Sequence, residues 1–376
     1  DRIWSRRTQP PVSVSAMDGY AVRSDDIKSV PCNLVRVGSA PAGGKYAKTL
    51  NTNEAVRIFT GGPIPNGADT VIIQENVDAP SENDGIEITV RKATPAGTYI
   101  RKAGLDFKVG DLGIDKGKLL NARDIGLAAS MNVSWLTVRR KPRIAVLATG
   151  NEIVRPGEDS SPGQIVSSNT YTLAAMIKAC GGEPLILGIA PDTTDGIASL
   201  VKESRGADLL VTTGGASVGQ HDLIQEALSK KQFDSKGLDL NFWKIAMRPG
   251  KPLIFGKLDE IPVLGLPGNP VSTMVCGLIF LKPAIETMLD LRSSLSVTRY
   301  ARLTRKLEKN DERQDYLRSV TYINEKSELM VEPAEKQDSS MMAVLTKANC
   351  LIVRAPYDPP KNEGEYVPII ELTGML

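Results

Sequence analysis

The stretch RIAVLAT, residues 143–149, decides the fold class of the chain. Its five middle residues are apolar without alternation, which is expected of a parallel strand covered on both faces. Further along, short apolar strands alternate with segments of helical periodicity, and this order predicts right-handed crossovers in a doubly wound α/β sheet over 141–290. The predicted strands are 143–149, 184–189, 208–212, 253–255 and 263–266, and the predicted helices are 168–180, 194–203, one after Asp222, and 270–289.

Both flanks of this predicted sheet are typical of small β-domains. Before it, short strands alternate with turns such as Gly61-Gly62-Pro63, and after it the chain alternates again from about residue 295. Regularly spaced short strands with turn signals indicate a barrel or a sandwich. The predicted strands are 33–37, 54–59, 70–74, 86–90 and 98–101 on the N-terminal side, and 300–303, 316–322, 329–332, 350–353 and 366–371 on the C-terminal side.

The charge balance argues against nucleic acid and membranes as partners. The chain has 376 residues with 46 Lys and Arg against 44 Asp and Glu, a formal net charge of +2. Nucleic acid or an anionic membrane would favour a strong basic excess, and aromatic residues at 5% are too sparse for a base-stacking platform. The best apolar run starts at Val271 and meets Lys282 and Pro283 after about a dozen residues, so we expect no membrane-spanning helix.

Histidine and cysteine usage disfavours several classes of active site. His221 is the only histidine, which removes most of the support for a Ser-His-Asp triad or a histidine-rich zinc site. The four cysteines lie far apart and form no C-x-x-C pair: Cys32, Cys180, Cys276 and Cys350. They indicate buried thiols in a reducing compartment, hence a cytoplasmic protein. The chemistry must then rest on carboxylates, Lys, Arg, hydroxyls and backbone amides.

Five predicted loops at strand ends combine glycine with acids, bases or hydroxyls. They are residues 149–152, 191–192, 212–222, 247–252 and 266–270. Such loops meet at one edge of a doubly wound sheet, where glycine lets backbone N–H groups approach an oxyanion. Arg248 and Lys251 would supply positive charge for phosphate. Three acids of these loops could hold a hard cation such as Mg²⁺: Glu152, Asp192 and Asp222.

Each of these residues also has an ordinary structural interpretation. Asp192 and Asp222 could cap the helices that follow them, and Asn269-Pro270 is a common pair at a helix start. Gly250-Lys251 is not a P-loop, because Pro252 occupies the position that requires Ser or Thr. The convergence of five loops on one sheet edge favours a site for phosphate and metal, although it names no substrate.

Five motifs in a fixed order carry a resemblance to a known family. They are SAMDGYAVR at 15–23, FTGGP at 59–63, ATGNE at 148–152, TGGASVG at 213–219 and GLPGNP at 265–270. Together they resemble the MoeA family of molybdopterin molybdenumtransferases, which includes the gephyrin E domain. The resemblance runs from about residue 13 into the C-terminal β-domain, so it covers nearly the whole chain.

The resemblance implies a multidomain α/β and β architecture of four domains. A small elongated first domain would comprise 1–29 with 121–140, and an inserted β-barrel would comprise 30–120. The molybdopterin-binding αβα domain would span 141–292, and a C-terminal β-barrel 293–376. Members usually have some tens of residues before the first motif, whereas 14 precede Ser15 here, so we expect the first domain to be N-terminally incomplete.

The resemblance also implies the reaction and the partners. Members of this family consume adenylylated molybdopterin and molybdate, insert molybdenum at the dithiolene, and release AMP with help from a divalent cation, expected to be Mg²⁺. They form an elongated homodimer whose active site is shared between subunits. Further candidate partners are the molybdopterin adenylyltransferase and the maturation proteins of molybdoenzymes.

The family's site positions can be carried over residue by residue. The expected catalytic positions are Asp18, Thr60, Arg101, Asp106, Glu152, Asp192, Asp222, Arg248 and Lys251, of which Glu152, Asp192 and Asp222 would hold the metal. The expected positions for binding the pterin and its phosphate are Gly214, Gly215, Ser217, Pro267, Gly268, Asn269 and Pro270. Looser matches in the C-terminal domain are Arg318, Ser339 and Ser340.

Two other functions remain as alternatives. The molybdopterin adenylyltransferase shares the TGG and LPGNP loops, but it is a single domain without SAMDGYAV or the two β-domains. A non-catalytic scaffold of the gephyrin E-domain type would not need the acidic and basic positions, which are intact here. The sequence therefore favours the molybdenumtransferase over both.

Overall fold

The computed structural model describes residues 1–214, 221–228, 237–291 and 299–372. The chain divides into two compact units, Asp1–Val138 and Arg139–Leu376. The N-terminal unit is built mainly from strands, whereas the C-terminal unit combines an α/β sheet with a second β-structure. These units contain the mixed α/β and β architecture that the sequence predicts.

A six-stranded sheet forms the centre of the N-terminal unit. Its strands, in spatial order, are Thr70–Ile73, Gly19–Val22, Glu54–Ile58, Cys32–Ala40, Glu87–Val90 and Val77–Asp78. Both faces are buried, with Tyr20 and Val22 in one core cluster and Ala21 and Val56 in another. The strands predicted within 30–90 are present, and the SAMDGYAV motif adds a strand that the turn pattern did not predict. The sheet thus includes one strand from the segment assigned to the first domain.

Smaller elements complete this unit. Ile3–Trp4 pairs with Leu112–Ile114, and Val14–Ser15 pairs with Ile100–Arg101, both antiparallel. The helix Ala122–Ser130 begins at Asn121, whose side chain accepts hydrogen bonds from two backbone N–H groups of the first turn. This reciprocal cap with Asp124 fixes the start of the helix, since it satisfies N–H groups that have no partner within the helix.

The doubly wound sheet of the C-terminal unit confirms the main prediction. Its spatial order is Glu183–Ala190, Arg143–Thr149, Leu209–Thr213, Ile261–Leu266, Ile254–Leu258 and Leu238–Trp243. The first four strands are parallel, and Ile254–Leu258 is antiparallel to both of its neighbours. Leu238–Trp243 is an edge strand that the sequence analysis missed, because its partly exposed residues include Asp239 and Asn241 and form no continuous apolar run. A short parallel pair, Ile153–Val154 with Ile165–Val166, lies outside this sheet.

Helices cover both faces of this sheet. They are Asn169–Ala179, Thr194–Lys202, His221–Ala227 and the helical run Pro270–Met288. One core cluster joins Ile144 and Val211 to the helices that start at Asn169 and Pro270, and the other joins Leu147 and Leu210 to the helix Thr194–Lys202. Alternate residues of the central strands therefore face different helical layers, as the apolar run RIAVLAT predicts.

The helical run Pro270–Met288 bears on the expectation that no helix of the chain spans a membrane. The helix continues through Lys282 and Pro283, because a π-helical turn at Gly277–Leu281 separates Pro270–Cys276 from Lys282–Met288 and accommodates the proline. Its 19 residues are long and apolar enough to cross a membrane by composition, but 67% of the apolar window is buried inside the protein. This burial is that of a core helix.

The last part of the chain closes into a β-barrel. Its strands follow the cyclic order Gln314–Ile323, Leu329–Pro333, Arg299–Leu303, Tyr366–Glu371 and Cys350–Arg354, and the last pairs with the first. Buried Ala301, Val331 and Ile352 contribute to its core, and the helix Met342–Lys347 precedes Cys350–Arg354. The pair Met247–Arg248 comes from the α/β region and adds to this sheet beside Gln314–Asp315. This pairing attaches a predicted site loop directly to the barrel.

Candidate active site

The loops that follow the parallel strands meet at the carboxyl edge of the sheet, as predicted. The backbone N–H of Asn151 donates to Asp192 Oδ2 at 3.2 Å, and the N–H of Asp192 donates to Asn151 Oδ1 at 3.1 Å. The reciprocal pair joins the loop after Arg143–Thr149 to the loop after Glu183–Ala190. Because each side chain bonds the other's backbone, neither loop can shift independently of the other.

The structure favours a role for Asp192 other than helix capping. The next helix is capped by Thr193, whose Oγ1 accepts the N–H of Gly196 at 3.1 Å. The Asp192 carboxylate instead accepts from Asn151. Glu152 follows Asn151 in the chain, and its carboxylate folds over Gly150. Its two oxygens lie 2.7 and 2.9 Å from the position that a Cβ on Gly150 would occupy. Two predicted metal-binding carboxylates therefore belong to adjacent loops.

Gly214 and Gly268 bring two further loops into close approach. Gly214 has a φ of +86°, and a Cβ at this position would overlap the carbonyl oxygen of Thr149. A Cβ on Gly268 would lie 3.5 Å from the Cα of Gly214. Glycine at 214 is thus required by both conformation and space. Any side chain on Gly268 would therefore touch the backbone of the TGG motif.

The LPGNP loop is held by hydroxyl groups. The carbonyl oxygen of Pro267 accepts from Thr273 Oγ1 at 2.6 Å and from Thr213 Oγ1 at 3.3 Å. Asn269 precedes the helix that starts at Pro270, but its side chain makes no capping bond. Its Nδ2 donates to Ser339 Oγ at 2.9 Å instead. The position of Asn269 is that of an ordinary helix start, whereas its side chain connects the loop to the C-terminal barrel region.

The metal site remains a prediction. Among the residues that the structure describes, no three His, Cys, Asp or Glu side chains come together as a group that could hold a metal ion. Asp222 lies in the helix His221–Ala227, but its side chain is outside the described part, as are Gly215 and Ser217. Glu152 and Asp192 supply two oxygen donors of the kind that Mg²⁺ prefers. A complete site needs at least one donor beyond these two.

Arg248 has partners in the segment 310–315 that the sequence did not predict. Its Nη1 donates to Asp311 Oδ2 at 3.0 Å, and its Nη2 donates to Asn310 Oδ1 at 3.3 Å and also bonds Asp315. The Asp315 side chain is 4% exposed. Hydrogen bonds from Arg313, with the charge of Arg248, lower the pKa of Asp311 to about 2. Acidic side chains thus balance the charge of Arg248. Their bonds to its guanidinium hold the loop 247–252 against the barrel.

We expect Arg248→Ala to lower the free energy of unfolding by about 2 kcal/mol, because it strips a buried carboxylate of its cation. Urea denaturation of the two proteins at pH 7 measures the difference. Asp311→Asn is the matched control, since it removes a half-exposed charge and leaves Arg248 paired with Asp315. Equal stability losses in the two variants would contradict this account of Asp315.

Lys251 has a different environment. It is exposed, and its side chain forms no ion pair with any residue in the described ranges. Its carbonyl oxygen accepts the N–H of Ile245 at 3.0 Å, which fixes the backbone. The preceding Gly250 has a φ of +120°, and a Cβ there would overlap Cys276 Sγ. The loop is therefore anchored while the ammonium group stays available to an anionic ligand.

The looser matches of the C-terminal domain lie beside the LPGNP loop. Arg318 is 1% exposed, and its Nη2 donates to the carbonyl oxygen of Asp338 at 3.1 Å. Burial lowers the pKa of this guanidinium. Ser339 bonds Asn269, as described above, and its carbonyl oxygen accepts the N–H of Val271 at 3.1 Å. Ser340 donates from its N–H and its Oγ to Asp338 Oδ1, so its side chain is engaged within its own turn.

The N-terminal unit brings Asp18 and Thr60 together. Asp18 Oδ1 accepts both the backbone N–H of Thr60 at 2.6 Å and its Oγ1 at 2.7 Å. These two bonds, with a smaller contribution from the charge of Arg57, hold the pKa of the Asp18 carboxyl below its usual range. The Arg57 guanidinium lies over the ring of Phe59 at 4.8 Å and donates to the carbonyl oxygen of Gly19 at 3.0 Å. Arg57 was not among the predicted site residues; it lies two residues before the motif FTGGP.

Arg101 and Asp106 lie five residues apart, at and just after the short strand Ile100–Arg101. Arg101 is exposed and pairs with Val14 in the short ladder that also contains Ser15, three residues before Asp18. Asp106 is exposed, and its backbone N–H donates to the carbonyl oxygen of Gln9 at 3.0 Å. The pairing of Arg101 with Val14 brings Arg101 close to the SAMDGYAV segment. The Asp106 side chain, by contrast, makes no hydrogen bond to Asp18 or Thr60.

Family models match three successive parts of the chain. The MoeA N-terminal region (domain I and II) matches residues 1–132. A probable molybdopterin binding domain matches residues 145–287, and the MoeA C-terminal region (domain IV) matches residues 300–372. The matches follow one another in the order that the motifs predict.

Relatives and solved structures extend this similarity to the whole chain. A molybdopterin molybdenumtransferase of Haemophilus influenzae is 34% identical over 383 residues, which cover 100% of this chain and 92% of the relative. One of Bacillus subtilis is 31% identical and covers 92% of this chain and 80% of the relative. The crystal structure of a molybdopterin biosynthesis MoeA protein from Pyrococcus horikoshii has a TM-score of 0.82 at 30% identity, covering 100% of this chain and 91% of that one.

Proposed function

The chain belongs to the MoeA family of molybdopterin molybdenumtransferases, and we propose that it inserts molybdate into adenylylated molybdopterin with release of AMP. The observation that carries the proposal is the meeting of the family's loops at one sheet edge, with the exposed Lys251 on a loop of the same domain. This function needs no histidine and no covalent nucleophile, which agrees with a chain that contains one His.

The proposed roles follow from charge and position. Molybdate is a dianion that must be accepted near a phosphate, so fixed positive charge is required, and Lys251 supplies it. Arg101 is a second cation, from the N-terminal unit. Gly214, Gly268 and the helix start at Pro270 offer close backbone approach to the pterin or its phosphate. Arg248 positions the loop of Lys251 through its bonds to the barrel.

Mg²⁺ is the proposed cation. Glu152 and Asp192 would hold it, and Asp222 is the third donor carried over from the family. When bound, the ion would neutralise charge on the pyrophosphate oxygens as AMP departs. The donor set fits a hard cation, because carboxylate oxygens are what Mg²⁺ prefers. Addition of a chelator would then abolish AMP release, and Mg²⁺ in excess would restore it.

The proposed active form is a homodimer in the cytoplasm. The family resemblance supports a site to which Asp18 and Thr60 of one subunit and the α/β domain of its partner contribute. Four free thiols, three of them buried, agree with a reducing compartment. The adenylyltransferase that makes the substrate and the maturation proteins that receive the product are the proposed further partners.

The proposed function is tested by mixing the protein with adenylylated molybdopterin, Mg²⁺ and molybdate and measuring AMP. We expect AMP release that depends on molybdate. Transfer of AMP from ATP to molybdopterin by this protein alone would favour the adenylyltransferase alternative. Absence of turnover with tight binding of another protein would favour the scaffold.

A further inference from the structure

The side-chain amide of Asn169 connects the two glycine loops of the site. Its Nδ2 donates to Thr213 Oγ1 at 2.9 Å and to the carbonyl oxygen of Gly268 at 2.7 Å. Thr213 is the last residue of the strand Leu209–Thr213, directly before the loop of Gly214, and Gly268 lies in the loop after Ile261–Leu266. Both N–H groups of the amide are therefore used to hold the two loops at a fixed spacing.

A hydroxyl relay continues this connection. Thr213 Oγ1 accepts from Asn169 and donates to the carbonyl oxygen of Pro267 at 3.3 Å, where Thr273 Oγ1 also donates. Thr213 is 1% exposed and Thr273 is 0% exposed. Because a hydroxyl has one hydrogen to donate, Thr213 Oγ1 can only accept from its other polar neighbour while it donates to Pro267. Only a donor at position 169 satisfies this direction.

The amide does not serve the helix that it belongs to. Asn169 is the first residue of Asn169–Ala179, and the preceding Ser168 makes no side-chain capping bond. Both hydrogen bonds donated by Asn169 Nδ2 go to residues 44 and 99 positions away in the chain, and none goes to its own helix. Asn121 at the start of Ala122–Ser130 illustrates the ordinary case, because its oxygen accepts from the first turn of its own helix.

We propose that Asn169 is a positioning residue that sets the spacing between the loops of Gly214 and Gly268 and thereby the cradle for the pterin and its phosphate. The inference deepens the proposed function and rests on it. An added Cβ on Gly268 would touch the Cα of Gly214, so the space between the two loops is narrow, and the Asn169 amide ties Gly268 to Thr213, the neighbour of Gly214. Asn169 acts through these loops rather than by contact with the reacting atoms.

The test compares direct binding of adenylylated molybdopterin, measured without molybdate so that turnover does not contribute. Asn169→Asp keeps the size of the side chain but replaces the donor by an acceptor facing the Gly268 carbonyl oxygen. We expect its Kd to rise at least about tenfold, since a lost donor leaves buried acceptors unpaired. Asn121→Ala is the matched control, which removes a capping amide and is expected to lower Tm while leaving Kd unchanged.

A second pair of variants keeps the test valid if Asn169→Asp folds poorly. Thr213→Val removes the relay at nearly constant volume, and we expect it to weaken binding. Thr213→Ser restores a hydroxyl and is expected to recover most of that loss. If Asn169→Asp binds as the wild type does, or if Thr213→Val and Thr213→Ser bind equally, the positioning role is overturned. If the wild type itself neither binds the substrate nor releases AMP, the proposed function fails instead.

Discussion

Lys251→Ala is expected to lower the kcat of molybdate-dependent AMP release by a factor of about a hundred or more. Removing one charge-stabilising group commonly costs about 2–4 kcal/mol of transition-state stabilisation. The side chain is exposed and makes no ion pair with the described residues, whereas the backbone is anchored by the bond from Ile245. The variant should therefore lose turnover without losing stability. Steady-state AMP release and a thermal melt measure the two quantities.

Lys257→Ala is the matched control for this experiment. Lys257 lies on the strand Ile254–Leu258 and pairs with exposed Glu260 at 2.8 Å, so its loss removes one positive charge of the same domain. Because exposed pairs of this kind contribute little, we expect normal turnover and a nearly unchanged Tm. Equal turnover in the two lysine variants would contradict the role assigned to Lys251.

Asp18→Asn is the second substitution for which we expect a loss of about a hundredfold in kcat. An amide oxygen can still accept from the N–H and Oγ1 of Thr60, so the variant removes the negative charge while retaining the loop. Because those bonds lower the pKa of the Asp18 carboxyl, the group stays ionised from neutral pH down to about pH 4. The pH profile of wild-type kcat should therefore show no decrease caused by protonation of Asp18 over that range. Asp18→Asn activity within a few-fold of wild type would contradict this role.

Mixing these two inactive variants tests the shared site. If Asp18 of one subunit works with Lys251 of its partner, a mixed dimer has one intact site and one site with both defects. Random exchange of subunits would then restore about a quarter of wild-type turnover. If each site used both residues from one subunit, the mixture would stay as inactive as either variant. The measurement is AMP release after the two variants have been mixed and their subunits have exchanged.

The sequence predicted those parts of the fold that have local signals. RIAVLAT matches the strand Arg143–Thr149, and the glycine pair after Cys180 matches the end of the helix Asn169–Ala179. The edge strand Leu238–Trp243 escaped prediction, because its partly exposed residues give no apolar run. The motif SAMDGYAV was identified by resemblance, but its strand Gly19–Val22 was not predicted from periodicity.

The site was predicted as a set of loops rather than as a set of contacts. Strand-end loops converge in any doubly wound sheet, so the meeting of Asn151 with Asp192 follows from topology. The partners of Arg248 and Asn269 do not follow from topology. Asp315 lies 67 residues after Arg248, and Ser339 lies 70 residues after Asn269. The sequence analysis assigned the charge of Arg248 to phosphate, whereas its pairing with Asp311 and Asp315 could be found only in the structure.

The most direct test of the proposed molybdenumtransferase activity is the ratio of molybdenum inserted to AMP released in a single turnover. Purified protein is mixed with adenylylated molybdopterin, Mg²⁺ and molybdate, and molybdenum in the isolated pterin product is determined by elemental analysis. We predict one molybdenum for each AMP, and neither product when molybdate is omitted. AMP release at the same rate without molybdate, or a pterin product that contains no molybdenum, would contradict the account.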